Sequence, residues 1–304
     1  MINSKNEIIS PITGKTNVEK IDSISTNLII NQYKTDYKLD VARYFSDLKT
    51  IEIYRCKDSG FRFYTPDSTA GDELFYSDFQ EVLGNYYKPV RWEYKYALNI
   101  IKPSDSVLEI GTGSGIFFEM LSQKVKSPKG LELSNRAIEE AQTRGFDIQN
   151  ELIEIHSDKF ENQYDVVCFF QVLEHITNVK SFLESAIKCL KPGGKLIFAV
   201  PNNNPFYYRY LSHYTSNLPP HHSGLWDRES ISNLSNFFNI DLKTVTVEPL
   251  YGIHYQLKLW AEAEGYVFLE KLIGRMPILL VKALGKLAPL FDGVNVIGVF
   301  TKRG

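Results

Sequence analysis

Residues 107–115 restrict this chain more than any other stretch. The apolar run Val107-Leu108, interrupted by Glu109 and closed by Ile110, leads into Gly111-Thr112-Gly113-Ser114-Gly115. Glycine at every second position lets the backbone turn sharply after a strand and come close to a ligand. A second short run, Gly130-Leu131, ends in another acid, Glu132, 21 residues beyond Gly111. A nucleoside-binding βαβ unit separates its glycine turn from its ribose-binding acid by about 20 residues. Further apolar runs at 106–110, 129–133, 146–150, 164–170, 195–200, 241–248 and 294–301 read as strands. Helical spacing is read at 86–101, 116–124, 135–144, 179–190 and 229–238. Alternating strands and helices predict an α/β fold, a doubly wound sheet of seven strands. A long helical insertion, about 251–292, separates the last two strands. Residues 1–85 lack clean periodicity and are expected to form a small irregular module ahead of the main domain at 86–304.

The turn favours S-adenosylmethionine (SAM) over a dinucleotide. Its third glycine falls at 115, giving GxGxG and not GxGxxG, and Glu109 would repel a pyrophosphate but meet the cationic aminoacyl end of SAM. Four motifs in order, LEIGTGSG, GLELS, YDVVCFFQVLEHI and LKPGGKLIFAVPN, resemble the class I SAM-dependent methyltransferases, most closely the ubiquinone-type branch. A fifth, Leu218-Pro219-Pro220-His221-His222 followed by Trp226, resembles the PPHH segment of one subgroup. The resemblance covers about 90–250 and implies a Rossmann-like sheet. It implies that Glu109, Gly111, Gly113 and Gly115 shape the methionine end of the SAM site. Glu132 would hold both ribose hydroxyls, since a carboxylate accepts two hydrogen bonds at once. Leu133 would pack on the adenine, and Asn150 or Glu151 would meet its amine. Phe170 and Gln171, at the carboxyl end of the fourth strand, would lie beside the sulfonium.

Relatives carry a small zinc ribbon near the N-terminus, with CPxCG and CxxCG knuckles. Here the frames read Ser10-Pro11-Ile12-Thr13-Gly14 and Cys56-Lys57-Asp58-Ser59-Gly60, so three of four thiols are hydroxyls. Hydroxyls do not replace thiolates as zinc ligands at neutral pH, and a metal-free remnant is expected. The other cysteines, Cys168 and Cys189, sit in apolar runs and add neither metal spacing nor a disulfide framework. No metal is expected anywhere in the chain.

Methyl transfer from SAM is a displacement that needs the acceptor aligned with the methyl–sulfur bond. An alcohol acceptor also needs a base, commonly histidine near neutral pH. His221 and His222, on a stiff segment after Pro219-Pro220 and beyond the fifth strand, are the foremost candidates; the alternative is that they only fasten a lid. His175, in the LEH signature, is the third candidate, with a structural role as its alternative. His156, His213 and His254 read as surface or packing residues. The aromatics at 206–210 would line an acceptor pocket or pack the lid. The apolar stretch 267–291, with Lys271, Arg275, Lys282 and Lys286, is broken by Gly274 and Pro277. It reads as a lid or a homodimer contact, with an amphipathic membrane-facing helix as the alternative.

The net charge of −2 offers nothing to nucleic acid. No apolar run approaches the roughly 20 residues that span a bilayer, and the polar N-terminus lacks a signal-peptide pattern, so a cytoplasmic protein is expected. The subgroup resemblance implies methylation of a small-molecule acceptor, foremost a saccharide hydroxyl. A phenolic or quinone precursor is the alternative within the enzyme class. A non-catalytic SAM-binding protein is the alternative outside it.

Overall fold

A computed structural model describes residues 7–83, 91–204, 213–250, 257–258, 260–262, 264–277, 280–281, 283 and 291–304. In chain order the first elements are β1 (Val18–Ser25), α1 (Thr26–Asp36), β2 (Thr50–Cys56), β3 (Arg62–Thr65) and α2 (Glu73–Leu83). There follow α3 (Trp92–Ile100), β4 (Val107–Ile110), α4 (Ile116–Ser122), β5 (Lys129–Glu132), α5 (Asn135–Thr143) and β6 (Ile148–Asn150). Next come α6 (Ile153–Lys159), β7 (Tyr164–Phe170), α7 (Val179–Cys189), β8 (Leu190–Pro201), β9 (Gly224–Leu225) and α8 (Arg228–Ser232). The last are β10 (Ile240–Pro249), α9 (Val267–Gly274) and β11 (Asp292–Lys302).

Seven strands form the central sheet in the order β10-β11-β8-β7-β4-β5-β6. Strands β4 to β8 are parallel, and β11 runs antiparallel to both β8 and β10. From β4 the chain builds outward through β5 to β6, then returns to β7 on the other side of β4. Strand order reverses there, which opens a crevice at the carboxyl ends of β4 and β7, the place where open α/β sheets bind ligands. The period-2 side-chain alternation divides the core. Leu108, Phe169, Phe198 and Phe300 pack on one face with α7, while Val107, Cys168, Ile197 and Ile297 pack on the other with α3 and α4. Phe169, Phe198 and Phe300 stack across β7, β8 and β11, with centroids 5.0 and 5.8 Å apart. Each fully buried phenylalanine is worth about 1.5–3 kcal/mol, so this ladder fastens the antiparallel strand to the parallel ones.

Residues ahead of the main domain are more regular than their sequence suggests. Strands β1, β2 and β3 make an antiparallel sheet completed by β9, from beyond β8. Strand β9 reaches β3 from more than 150 residues away, so no hairpin spacing marks their pairing. Phe61 packs on Trp226 with centroids 4.2 Å apart. A Cβ at Gly224 would lie 2.4 Å from the Phe61 ring, so position 224 of β9 takes only glycine.

The two knuckle frames take the same turn and face each other. Gly14 N–H donates to Ser10 O at 2.9 Å and Gly60 N–H to Cys56 O at 2.8 Å, with both glycines at positive φ. The Ile12 and Thr13 N–H groups point at Ser10 Oγ, and Thr13 Oγ1 is 4.0 Å from Cys56 Sγ. Burial raises the Cys56 thiol, but hydrogen bonds from Ser10, Ser59 and the local backbone outweigh it and leave it below its ordinary value.

Other boundaries differ locally. Helix α6 is short and lacks a side-chain cap, so no start signal marks it. Lys191-Pro192-Gly193-Gly194, which reads as a helix stop, lies within β8, at an irregularity in its pairing with β7. Helix 229–238 splits into α8 and a 3-10 turn. The aromatics 206–210, His254 and parts of the insertion lie outside the described residues, as do 84–90 at the start of the expected helix 86–101. Within the insertion, α9 exposes Val267, Phe268 and Leu272. No helix among the described residues is long and apolar enough to cross a membrane.

Candidate functional site

All three glycines of the turn have positive φ, at 72, 52 and 75° for Gly111, Gly113 and Gly115. Space adds a second demand at Gly111, where a Cβ would sit 2.5 Å from Val172 Cγ2. The turn is pinned to β5 by Glu132. Its Oε2 accepts the Gly113 N–H at 2.7 Å, and its Oε1 accepts the N–H groups of Leu133 and Ser134 at 2.7 and 2.9 Å. The carboxylate thus stands at the end of β5 with lone pairs left for a ligand. Leu133, beside it, is 53% exposed, an apolar surface for a flat ring.

Beneath the turn lie buried polar atoms that lack a hydrogen-bond partner among the described residues: Glu109 Oε2, Thr112 Oγ1 and Ser114 Oγ. Burial, then the charge of Glu132, pushes the Glu109 carboxyl well above its usual range. Such orphaned groups are costly unless something satisfies them. A cationic, hydrogen-bonding ligand end would do so, and the residues therefore fit the aminoacyl group of SAM.

Three of the expected contact residues have side-chain partners within the protein. Glu151 accepts from His156 Nδ1 at 2.8 Å and pairs with Lys159, which draws its carboxylate along α6. Asn150 donates to Asn135 at 2.7 Å. The Phe170 ring turns into the core, with centroids 4.6 Å from Phe117 and 5.4 Å from Tyr94. What remains of Phe170 for the crevice is its backbone.

Gln171 opens the other half of the site. At φ 57° its backbone bends away from β7, and its Nε2 donates to Glu93 Oε1 at 3.4 Å and Asn295 Oδ1 at 3.3 Å. Asn295 in turn donates to Glu248 at 2.7 Å. Glu93 and Glu174 are buried, and Oε2 of each lacks a partner among the described residues. Burial raises both carboxyls, that of Glu174 to about 8.

The three candidate histidines converge. His175 N–H bonds Val172 O at 3.0 Å, so His175 stands one turn beyond the residue packed on Gly111. Its Nδ1 is 2.6 Å from His221 O, and His221 Nδ1 is 2.8 Å from Ser216 O. Ring centroids are 4.9 Å apart for His175–His221, 5.0 Å for His175–His222 and 4.4 Å for His221–His222. Burial pushes His175 down to about 4, and burial with the neighbouring imidazoles pushes His221 and His222 well below the ordinary value. The first module holds this loop from outside. Tyr33 OH donates to Leu218 O at 2.8 Å, Tyr76 OH to His221 O at 3.1 Å, and the Phe79 ring lies 4.6 Å from that of His221. His156 is a packing residue, buried with Nε2 at 2.9 Å from Tyr164 OH. Glu93, Glu248, Asn295 and Tyr76 are absent from the sequence reading. None belongs to a motif, and each reaches the site from a distant element.

A model of the family described as methyltransferase domain matches residues 85–243, just over half the chain. Ubiquinone biosynthesis O-methyltransferase of Erwinia tasmaniensis is 31% identical over 104 residues, 32% of this chain and 43% of that protein. Its counterpart in Klebsiella pneumoniae is 25% identical over 159 residues, 49% of this chain and 65% of that one. The chain thus spans less than two thirds of the length of either relative. A SAM dependent methyltransferase from Archaeoglobus fulgidus shares the fold at a TM-score of 0.50 and 14% identity, covering 75% of this chain and all of that one. A chain of the complex between the Haloferax volcanii Trm112 methyltransferase activator and its methyltransferase does so at 0.52 and 14%, covering 76% and 97%.

Proposed function

The chain belongs to the methyltransferase domain family, as a class I SAM-dependent member, and from that premise we propose that it transfers a methyl group to a hydroxyl of a small acceptor, a saccharide or related metabolite. The observation that carries this reading is the meeting of two dissimilar half-sites. A glycine turn with orphaned buried polar atoms lies next, through Val172, to a buried histidine cluster.

SAM supplies a methyl group made transferable by its positive sulfonium. Glu132 holds the ribose, while Glu109, Thr112 and Ser114 receive the aminoacyl end. Gly111 and Gly113 let the backbone close on the ligand. Gln171, Glu93, Asn295 and Glu248 offer carboxylate and amide groups, which suit an acceptor with several hydroxyls. The histidine cluster lies on the acceptor side and assists loss of the hydroxyl proton; burial keeps its imidazoles neutral, with a lone pair to offer. Alignment in the closed crevice does the rest.

A second reading, a phenolic acceptor, is favoured by the aromatic rings of Tyr76 and Phe79 against the histidines and by the names of the ubiquinone-biosynthesis relatives. Isotope-labelled SAM incubated with sugar nucleotides and, separately, with catechols and other phenols decides between them by mass spectrometry of the products. Label in the sugars alone supports the first reading, and label in the phenols alone replaces it. SAM bound without label transfer to either set would favour a non-catalytic binder.

A further inference from the structure

We propose that His175, His221 and His222 form a binding site for one divalent transition-metal ion of the zinc class. The inference rests on the reading above only for placing the acceptor beside the cluster. One ring nitrogen from each histidine lies within 4.8 Å of the other two, in a pocket where His221 and His222 are buried and His175 is 16% exposed. Nitrogens sharing one zinc at 2.0–2.1 Å stand about 3.3 Å apart, so small side-chain rotations bring the three into bonding range.

Three independent features point to an ion and not to mere packing. First, the outer nitrogens are anchored. His175 Nδ1 faces the His221 carbonyl and His221 Nδ1 faces that of Ser216. A metal-binding imidazole is held in this way, its other N–H given to a carbonyl so that tautomer and ring direction are set. Second, His222 Nδ1 is buried without a hydrogen-bond partner among the described residues, and an ion would give it one. Third, Glu174 Oε2 is buried and likewise unpartnered, while its Oε1 lies 3.8 Å from His175 Nε2. A carboxyl group is thus on hand to offset part of the cation's charge.

Three neutral imidazoles suit zinc, iron, nickel or cobalt better than magnesium or calcium, which prefer oxygen. Three protein ligands leave a coordination position open, as in catalytic zinc sites. Beside the crevice, that position would face the acceptor side, where a bound ion would polarise the acceptor's oxygen and so take the place of proton removal by the imidazoles, whose lone pairs would then hold the ion. The knuckle frames cannot supply this site, since their hydroxyls are poor ligands for such an ion.

The test uses the full chain, freed of metal by chelator dialysis and titrated with Co²⁺ and with Zn²⁺. Metal per chain is measured by elemental mass spectrometry and cobalt coordination by its d–d absorption. The expected result is about one ion per chain with the spectrum of a low-coordinate nitrogen site. His222→Ala and His175→Ala should each weaken binding at least ~100-fold, while Cys56→Ser in the knuckle leaves it unchanged. Calorimetry with S-adenosylhomocysteine shows that each variant is folded. No stoichiometric ion on the wild-type chain overturns the proposal. So does binding that survives both histidine variants, or that is lost in Cys56→Ser. If the ion is absent while His222→Ala still abolishes turnover, the metal site is refuted and the acceptor reading stands. If the ion binds as expected and no acceptor is methylated, the metal site stands and the acceptor reading is refuted.

Discussion

The two halves of the crevice are built by different means. On the cofactor side, Glu109, the glycine turn and Glu132 come from β4, the start of α4 and the end of β5, within one βαβ unit. On the proposed acceptor side, Glu93, Gln171 with His175, His221 and Asn295 come from four separate parts of the chain, held together by hydrogen bonds and by a first module that supports the histidine loop. Cofactor geometry is therefore a local property of backbone and spacing. Acceptor geometry depends on packing among elements distant in sequence, and so it can diverge while the cofactor side stays the same.

The largest expected effect falls on the acceptor side alone. His222→Ala should lower turnover by about 10²–10⁴-fold, the usual contribution of a group assisting proton transfer. SAM affinity measured by calorimetry should be little changed. If affinity collapses as well, the two halves are not separable. The converse is expected of Glu132→Ala. Hydrogen bonds to a charged group are worth about 1.5–3 kcal/mol each, so loss of the ribose contacts and of the Gly113 tether should weaken S-adenosylhomocysteine by ~30-fold or more. Unchanged affinity would remove Glu132 from the cofactor site.

Gly111→Ala probes the seam between the halves. The new Cβ would meet Val172 Cγ2 at 2.5 Å, and alanine dislikes φ 72°. The two effects together should cost about 2–5 kcal/mol, read as a lowered midpoint in thermal unfolding. Adding Val172→Ala should recover the steric part and leave the backbone part. Complete recovery would show that φ carries no strain there.

The smallest effect belongs to neither half. Asp165, at the start of β7, is hydrogen-bonded by Ser106 and paired with Lys191 at 2.9 Å. Burial raises its carboxyl, but these partners outweigh burial and hold it down at about 2. A carboxylate with a lowered native value adds stability above its unfolded value, and loses it as pH falls through the native one. The Asp165→Asn variant should therefore be less stable than wild type above about pH 4, by under ~1 kcal/mol because the pair is partly exposed. That gap should close as pH drops towards about 2. A gap that widened in acid would contradict the assignment.

Much of the fold was legible because its signals are local. Seven runs of strand-forming residues and the helices between them show which elements alternate, and β7 is bounded in sequence where it is bounded in space. The local differences share one cause. Strand β9 is two residues long and exists only because β3 lies beside it. Strand β8 takes in Lys191-Pro192-Gly193-Gly194 because β7 pairs on both sides of it, at Leu190 and again from Lys195. Glu151 and Phe170 sit where the motif puts them in the chain, yet His156 and Lys159 engage one and Phe117 and Tyr94 bury the other.

By itself, the sequence determined the βαβ unit, the cofactor class and the seven-stranded sheet. Glycine spacing, an acid at a strand end and period-2 hydrophobicity act over a few residues, and their physics does not need the rest of the chain. Only the tertiary structure decided that His175 meets His221 and His222 across 46 residues of sequence, and that Glu93, Glu248 and Asn295 join Gln171 in one partly buried polar network. It also decided that the two frames Ser10–Gly14 and Cys56–Gly60 face each other. Side-chain convergence of this kind follows from how sheets and helices pack. No spacing rule encodes it, because the residues it joins are neighbours only in the folded chain.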